Sequence, residues 1–259
     1  MDRDTTQKVI QYWDKASLCS RESSTSHADP DLVYLDNLVE LFVLRQCLDA
    51  WRLPRGRVLD VGAGFGRFTP LFLQFATQVV LLEAADSIYQ NMADIWKSHE
   101  DIKCHHGEFD AYVDDDLFSL VFASGILYFY DDNTLNAFLT KATAMLSVGG
   151  LLIVRDFVSV PREYEKKSSY VEGATCYYRT PDYWKRLAAE HGLEFLKITR
   201  SKPQWNWLRN GRTLRILELL RLKHCLRGQI PASIMKKLGS FRLGASGVQT
   251  VFIGMRKMS

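Results

Sequence analysis

Several features of secreted and membrane proteins are missing from this chain of 259 residues. Its five cysteines are an odd number, and none of them forms a CxxC pair, which argues against both a disulfide framework and a zinc site. No apolar run approaches the ~20 residues that cross a bilayer, and the amino terminus lacks the basic and then apolar pattern of a signal peptide. We therefore expect a protein of the reducing cytoplasm.

The composition is that of a folded protein with one unusual concentration of charge. Hydrophobic residues make up 47% of the chain, enough to bury a substantial core, and a single domain over residues 1–259 is expected. The net charge of +3 conceals an uneven distribution, because residues 205–245 contain nine Lys and Arg but only one acid, Glu218. That segment therefore has a net charge of +8, and the rest of the chain has −5.

Strand and helix patterns alternate along most of the chain. Short apolar runs typical of buried strands lie at 57–61, 78–83, 102–106, 117–123, 151–155, 193–199 and 248–255. Helical patterns lie at 5–15, 32–51, 67–75, 86–99, 133–146 and 181–191. This alternation predicts an α/β, Rossmann-like fold: a doubly wound, mostly parallel sheet of seven strands, with N-terminal helices and a helical insertion before the last strand.

The first predicted strand runs directly into a glycine-rich turn, Gly62-Ala63-Gly64-Phe65-Gly66. Glycines let the chain turn tightly and let a ligand approach the backbone, and the following helix offers free N–H groups. Glu83 ends the second predicted strand, 21 residues after Gly62, where an acid can accept hydrogen bonds from both hydroxyls of a ribose. Because position 67 is Arg, the dinucleotide fingerprint GxGxxG is incomplete, and Asp60 precedes the turn. These details favour a nucleoside with a charged amino-acid tail over a pyrophosphate.

The segment Leu59-Asp60-Val61-Gly62-Ala63-Gly64-Phe65-Gly66 resembles the first motif of the class I S-adenosylmethionine-dependent methyltransferases. The resemblance covers about residues 55–200 and is weaker in its second half. Within that superfamily, Gly66-Arg67-Phe68-Thr69, with Tyr12-Trp13 upstream, is similar to the protein α-N-terminal methyltransferases. The resemblance implies a methyltransferase that uses S-adenosylmethionine and releases S-adenosylhomocysteine. The order of the predicted elements and the charge of the last long connection divide the chain into an N-terminal helical cap (1–52), a Rossmann-like core (53–200), a basic helical insertion expected to act as a lid (201–246) and a last strand (247–259).

The same resemblance implies a cofactor site. It would place Arg67 against the cofactor's carboxylate, Glu83 at the ribose, and Glu108 and Phe109 beside the adenine. The full set implied for the cofactor, with the residues that close over it, is Tyr12, Trp13, Asp60, Gly62, Ala63, Gly64, Arg67, Glu83, Ala84, Glu108, Phe109 and Ser124.

The resemblance to the α-N-terminal enzymes does not extend to the substrate side. That family has an Asn after its Asp at the end of strand five and a Trp just beyond strand four, whereas this chain has Asp156-Phe157 and Gly125. Loops at the carboxyl ends of the strands should face the acceptor, and they are rich in aromatic residues. We expect Asp156 and Tyr128 to orient or deprotonate the acceptor, and we expect substrate contacts from Tyr130, Phe157, Tyr177, Tyr178 and Arg209. Cys104-His105-His106 lies on a strand pattern without a carboxylate cluster, so no metal site is predicted.

The basic segment 205–245 should emerge beside the substrate mouth, where it would attract anionic partners. Its apolar residues spread around a helical wheel, which favours packing inside the protein or against a second subunit over contact with a membrane surface. It contains no recognised nucleic-acid module. We therefore expect a small or carrier-linked anionic acceptor, such as a sugar, a phosphate or a natural-product intermediate. Methylation of protein or RNA, and a catalytically silent adaptor with this fold, are the alternatives.

Overall fold

The computed structural model describes residues 3–17, 30–201 and 247–258. Its elements, in chain order, are α1 (Arg3–Ser17), α2 (Pro30–Ala50), β1 (Gly56–Val61), α3 (Thr69–Phe72), β2 (Ala76–Glu83), α4 (Asp86–Trp96), β3 (Ile102–His106), β4 (Phe118–Ser124), a 3-10 turn (Leu127–Phe129), α5 (Asp132–Met145), β5 (Leu146–Val160), β6 (Tyr164–Lys167), β7 (Thr175–Tyr178), α6 (Pro181–Glu190), β8 (Leu193–Arg200) and β9 (Gly247–Lys257). Within these ranges no helix combines the length and the apolar character needed to span a bilayer. The predicted insertion lies outside the described residues, apart from Ser201.

Seven strands form one sheet in the order β3-β2-β1-β4-β5-β9-β8. The first five of these pair in parallel, and β9 runs antiparallel to both β5 and β8. The predicted doubly wound, mostly parallel sheet of seven strands is therefore confirmed. The chain order reverses between β1 and β4, and ligands of such sheets bind at the carboxyl ends of the strands beside that switch point.

The central strands are buried on both faces, which explains their continuous apolar sequences. In β4, Leu120 and Phe122 face one side, where they join a core that includes residues of α2, α3 and α4. Val121 and Ala123 alternate with them and face the other side, where the core includes residues of α5 and α6. With both faces covered by helices, the carboxyl edge of the sheet is where polar side chains can meet a ligand.

Two predicted elements have different lengths in the structure. The helix predicted at 67–75 is only Thr69–Phe72, because the glycine turn continues through Gly66, which has φ +73°, and β2 begins at Ala76. The strand predicted at 151–155 extends over Leu146–Val160, because β9 pairs with its last ten residues. The other predicted strands and helices agree with the structure to within a few residues.

The antiparallel hairpin of β6 and β7 was not predicted. Each of its strands has only four residues, and β6 is exposed throughout, so no alternation of apolar and polar residues marks it. The hairpin brings Tyr177 and Tyr178, which the sequence placed in a loop, onto a strand.

Candidate active site

A cavity of about 1360 Å³ lies at the carboxyl ends of β1, β2 and β4. It exceeds the ~300–1,000 Å³ of a typical ligand pocket, so it has room for a cofactor and a second molecule. Its wall contains every residue of the predicted cofactor set: Tyr12, Trp13, Asp60, Gly62, Ala63, Gly64, Arg67, Glu83, Ala84, Glu108, Phe109 and Ser124. The structure thus brings together residues that lie up to 112 positions apart in the sequence.

The glycine turn depends on backbone conformations that glycine adopts easily. Gly62, Gly64 and Gly66 have φ values of +68°, +60° and +73°, in the left-handed region that side chains with a Cβ disfavour. The N–H groups of Gly62 and Ala63 donate to the carbonyl of Leu82, which joins the turn to the end of β2. A Cβ added at Gly64 would meet no described atom within 4 Å, so this part of the turn borders open space. The backbone is therefore accessible to a ligand there.

Glu83 ties the glycine turn to the end of β2. Its Oε2 accepts a hydrogen bond from the N–H of Gly64, and its Oε1 accepts from the N–H groups of Ala84 and Ala85, each at 2.9 Å. Burial raises the pKa of Glu83, and these three bonds oppose the rise by stabilising the carboxylate. Each carboxylate oxygen can accept about two hydrogen bonds, and Oε2 accepts one from the backbone. Oε2 can therefore accept another hydrogen bond from a ligand in the cavity.

Asp60 lies in the cavity wall and is buried, and no donor among the described residues reaches its Oδ2. Burial raises its pKa to about 7, while the positive charge of Arg67 opposes the rise. A buried acceptor without a partner is costly, and such groups commonly mark the place of a ligand. The orphaned oxygen of Asp60, the open backbone at Gly64 and the carboxylate of Glu83 fit a nucleoside that bears hydroxyl and ammonium donors.

The sequence did not reveal the partner of Arg67. Its Nη1 donates to Glu40 Oε2 and to Asn37 Oδ1, each at 2.7 Å, and Glu40 is a buried residue of α2. The other oxygen of Glu40, Oε1, accepts from Arg155 Nε at 2.9 Å, from Arg155 Nη2 at 2.6 Å and from Ser201 Oγ at 3.0 Å. Glu40, Asn37 and Arg155 also line the cavity. In the sequence, the contact with Arg67 is indicated only by the position of Glu40, an acid among apolar residues of α2.

Helix α1 borders the cavity and is attached on two sides. Asp14 Oδ1 accepts hydrogen bonds from the backbone N–H and the hydroxyl of Ser87, both at 2.9 Å, at the N-terminus of α4. Gln7 donates to Glu108 Oε1 at 3.3 Å, in the loop after β3. These contacts hold α1 beside the cavity, and closure of Tyr12 and Trp13 over a cofactor stays a prediction.

One part of the cavity has an aromatic wall that includes Tyr128, Tyr130, Phe157 and Tyr170. The hydroxyls of Tyr128 and Tyr170 are hydrogen-bonded to each other. Burial raises the pKa of Tyr128 well above its ordinary value, and it raises that of Tyr130 to about 12. Both phenols are therefore protonated at neutral pH, so they can donate hydrogen bonds but are poor bases. The ring of Tyr12 lies 5.4 Å from that of Tyr170, which joins α1 to this wall.

Three of the remaining predicted site residues, all within the described part of the chain, do not line this cavity. Asp156 is buried, its Oδ1 accepts from the N–H of Phe157 at 2.7 Å, and burial raises its pKa to about 7. Tyr177 and Tyr178 line a separate groove beside Arg179. Arg209 lies outside the described residues. The roles of all four in catalysis or substrate binding stay predictions.

A family model described as a methyltransferase domain matches residues 33–198 of the chain. Among curated proteins, a phosphoethanolamine N-methyltransferase of Arabidopsis thaliana is 22% identical over 136 residues, which are 51% of this chain and 27% of that protein. The chain thus matches only about a quarter of the length of this relative.

Solved structures of low sequence identity share the fold. An S-adenosylmethionine-dependent methyltransferase of Leishmania major superposes with a TM-score of 0.64 at 17% identity, covering 76% of this chain and 77% of that one. The 1,6-didemethyltoxoflavin N1-methyltransferase of Burkholderia thailandensis, solved with 1,6-didemethyltoxoflavin and S-adenosylhomocysteine, superposes with a TM-score of 0.62 at 14% identity, covering 98% of this chain and 90% of that one. At these identities the similarity establishes a common architecture.

Proposed function

We propose that this chain, which belongs to the methyltransferase-domain family and has the class I fold, transfers a methyl group from S-adenosylmethionine to nitrogen or oxygen of a small anionic metabolite. The observation that carries the proposal is the cavity of about 1360 Å³, which is lined both by the predicted cofactor residues and by the aromatic wall. A small molecule enclosed there would be held by aromatic faces and phenol hydroxyls.

For the cofactor, we propose that Glu83 Oε2 accepts a hydrogen bond from a ribose hydroxyl while its backbone bonds keep the carboxylate in place. The orphaned oxygen of Asp60 and the guanidinium of Arg67 would meet the charged amino-acid end. When bound, S-adenosylmethionine supplies an electrophilic methyl group on a sulfonium. Helix α1 would then help to exclude water, because Tyr12 and Trp13 lie in the cavity wall.

For the acceptor, we propose that orientation is the main catalytic contribution of the chain. The protonated hydroxyls of Tyr128 and Tyr130 would donate hydrogen bonds that align the acceptor atom with the methyl group. Asp156 would act through Phe157, because its carboxylate holds the backbone of a residue that lines the cavity. A neutral amine needs no strong base for this displacement, whereas a poorly nucleophilic oxygen does.

The alternatives are supported less well. A protein or RNA acceptor must reach the methyl group along an open groove, and α1 restricts the cavity by its contacts with Ser87 and Glu108. A catalytically silent adaptor would have no use for the orphaned carboxylate oxygen of Asp60 beside the glycine turn. The Arabidopsis relative and the Burkholderia neighbour are both named as N-methyltransferases, which supports nitrogen as the first acceptor atom to test.

The test is a screen with S-adenosylmethionine labelled at its methyl group. Purified protein would be incubated with small amines and alcohols, each with and without a phosphate or carboxylate, and with peptides and RNA. We expect label in at least one small anionic compound, with less transfer to its uncharged analogue. Label in peptides or RNA alone would contradict the proposed acceptor class while leaving the methyltransferase activity in place.

A further inference from the structure

Two guanidinium groups in the cavity wall share a single buried carboxylate. Arg67 bonds one oxygen of Glu40, and Arg155 bonds the other through both Nε and Nη2. The side chain of Glu40 is 1% exposed, and those of Arg155 and Arg67 are 14% and 26% exposed. Within this cluster of Arg67, Arg155 and Glu40, two cations share one anion, so the three side chains alone have an excess positive charge.

The acids that face the two arginines do not fully cancel that excess. Asp60 interacts electrostatically with Arg67, and Asp156 interacts with Arg155. Burial raises the pKa of both acids to about 7, which weakens the negative charge that each supplies near neutral pH. A buried cation without a full counter-charge is costly, and an anionic ligand would relieve that cost.

Arg155 also retains a free donor. Its Nη1 forms no hydrogen bond with any described residue, whereas its Nε and Nη2 are both held by Glu40. A Cβ added at Gly125 would lie 3.6 Å from this nitrogen, and both residues line the cavity. The absence of a side chain at position 125 therefore leaves space in front of Nη1. Guanidinium N–H groups bind phosphate and carboxylate oxygens strongly.

We propose that Arg155 binds the anionic group of the acceptor, a phosphate or a carboxylate, and that Glu40 is a positioning residue that fixes its guanidinium. This inference rests on the proposed function, since it names the residue that recognises the small anionic acceptor. Arg155 lies on a different strand from the glycine turn: Arg67 follows that turn at the end of β1, whereas Arg155 lies on β5, beyond β4. Phe157 of the aromatic wall is two residues away on the same strand.

The experiment measures anion binding to the full chain saturated with S-adenosylhomocysteine, so that cofactor sites are filled. The probes are phosphoethanolamine, ethanolamine and inorganic phosphate. Their binding is measured by calorimetry and by ligand-observed NMR. In the wild type we expect phosphoethanolamine and phosphate to bind and ethanolamine to bind more weakly. Arg155→Gln should raise the dissociation constant for both phosphates by about tenfold or more, which corresponds to ~1.4 kcal/mol or more.

The matched control is Arg186→Gln, which removes the same charge from an exposed residue of α6 and should leave anion binding unchanged. Glu40→Gln should weaken phosphate binding, and Glu40→Asp should recover part of the loss, because a carboxylate again holds the guanidinium. If Arg155→Gln does not fold, Arg155→Lys gives the comparison, since lysine keeps the charge but lacks the paired donors that bind Glu40.

Three results would overturn this inference alone. The first is an absence of phosphate binding in the wild-type complex, and the second is equal phosphate binding in wild type and Arg155→Gln. The third is a loss of affinity for S-adenosylhomocysteine in Arg155→Gln with no loss for 5′-methylthioadenosine, which lacks the amino-acid end. That pattern would assign Arg155 to the cofactor's carboxylate. A wild-type protein that does not bind S-adenosylhomocysteine would instead overturn the methyltransferase assignment, and this inference with it.

Discussion

Glu83 uses one carboxylate to hold the glycine turn and to face the cavity. In Glu83→Gln the amide must place an N–H group against either Gly64 or the Ala84 and Ala85 donors, so one backbone contact becomes repulsive and the charge is lost. We expect affinity for S-adenosylhomocysteine to fall by about 1–3 kcal/mol, as measured by calorimetry. Glu100→Gln, at an exposed position, is the control and should bind normally. Unchanged affinity in Glu83→Gln would show that this carboxylate does not contact the cofactor.

Asp156 should make the stability of the protein depend on pH. Its ordinary pKa is 3.8 and burial raises it to about 7, so the folded state holds a proton that the unfolded state releases between these values. The free energy of unfolding should therefore fall as the pH rises from about 4 toward about 7. In Asp156→Asn, the loss between about pH 5 and pH 7 should be smaller by about 1–3 kcal/mol. Denaturant unfolding of both proteins measures the difference. Equal losses of unfolding free energy in the two proteins would contradict the raised pKa of Asp156.

Among the secondary-structure elements, α1 depends on α4 for its position over the cavity. Asp14 supplies an acceptor to the backbone N–H of Ser87, in the first turn of α4, as a capping side chain from another helix would. Asp14→Ala should weaken the attachment of α1 by about 0.5–2 kcal/mol, which makes dissociation of S-adenosylhomocysteine roughly two- to thirtyfold faster. Stopped-flow displacement measures this rate. Asp94→Ala, which removes an exposed acid of α4 itself, should leave the rate unchanged. An unaltered rate in Asp14→Ala would argue against closure of α1 over the cofactor.

The elements that could be predicted from the sequence are those whose burial leaves a recognisable pattern of apolar residues. Strands such as β1 and β4 are covered on both faces, so their sequences are continuously apolar and stand out between turns. The short helix α3 was overestimated, because an apolar sequence does not reveal how far the turn at Gly66 extends. The β6–β7 hairpin was missed because its short, exposed strands carry no such pattern.

At the scale of the whole molecule, contiguous motifs could be predicted, whereas contacts between distant segments could not. The glycine turn and Glu83 are marked by a local spacing that strand geometry explains. Glu40 and Arg155 are 115 residues apart and meet only because α2 packs beside the carboxyl end of β5, so no sequence pattern joins them. The positive charge of 205–245 lies outside the described residues, and its role as a lid stays a prediction.

The central claim is that the cavity above the glycine turn binds S-adenosylmethionine, and calorimetric titration of the full chain tests it most directly. S-adenosylmethionine and S-adenosylhomocysteine should each bind at one site per chain, because Glu83, Asp60 and the open backbone at Gly64 fit a nucleoside with a charged amino-acid tail. NAD should bind weakly or not at all, because the turn lacks the third glycine of a pyrophosphate site. Binding of NAD, with no heat from either methionine nucleoside, would contradict the account.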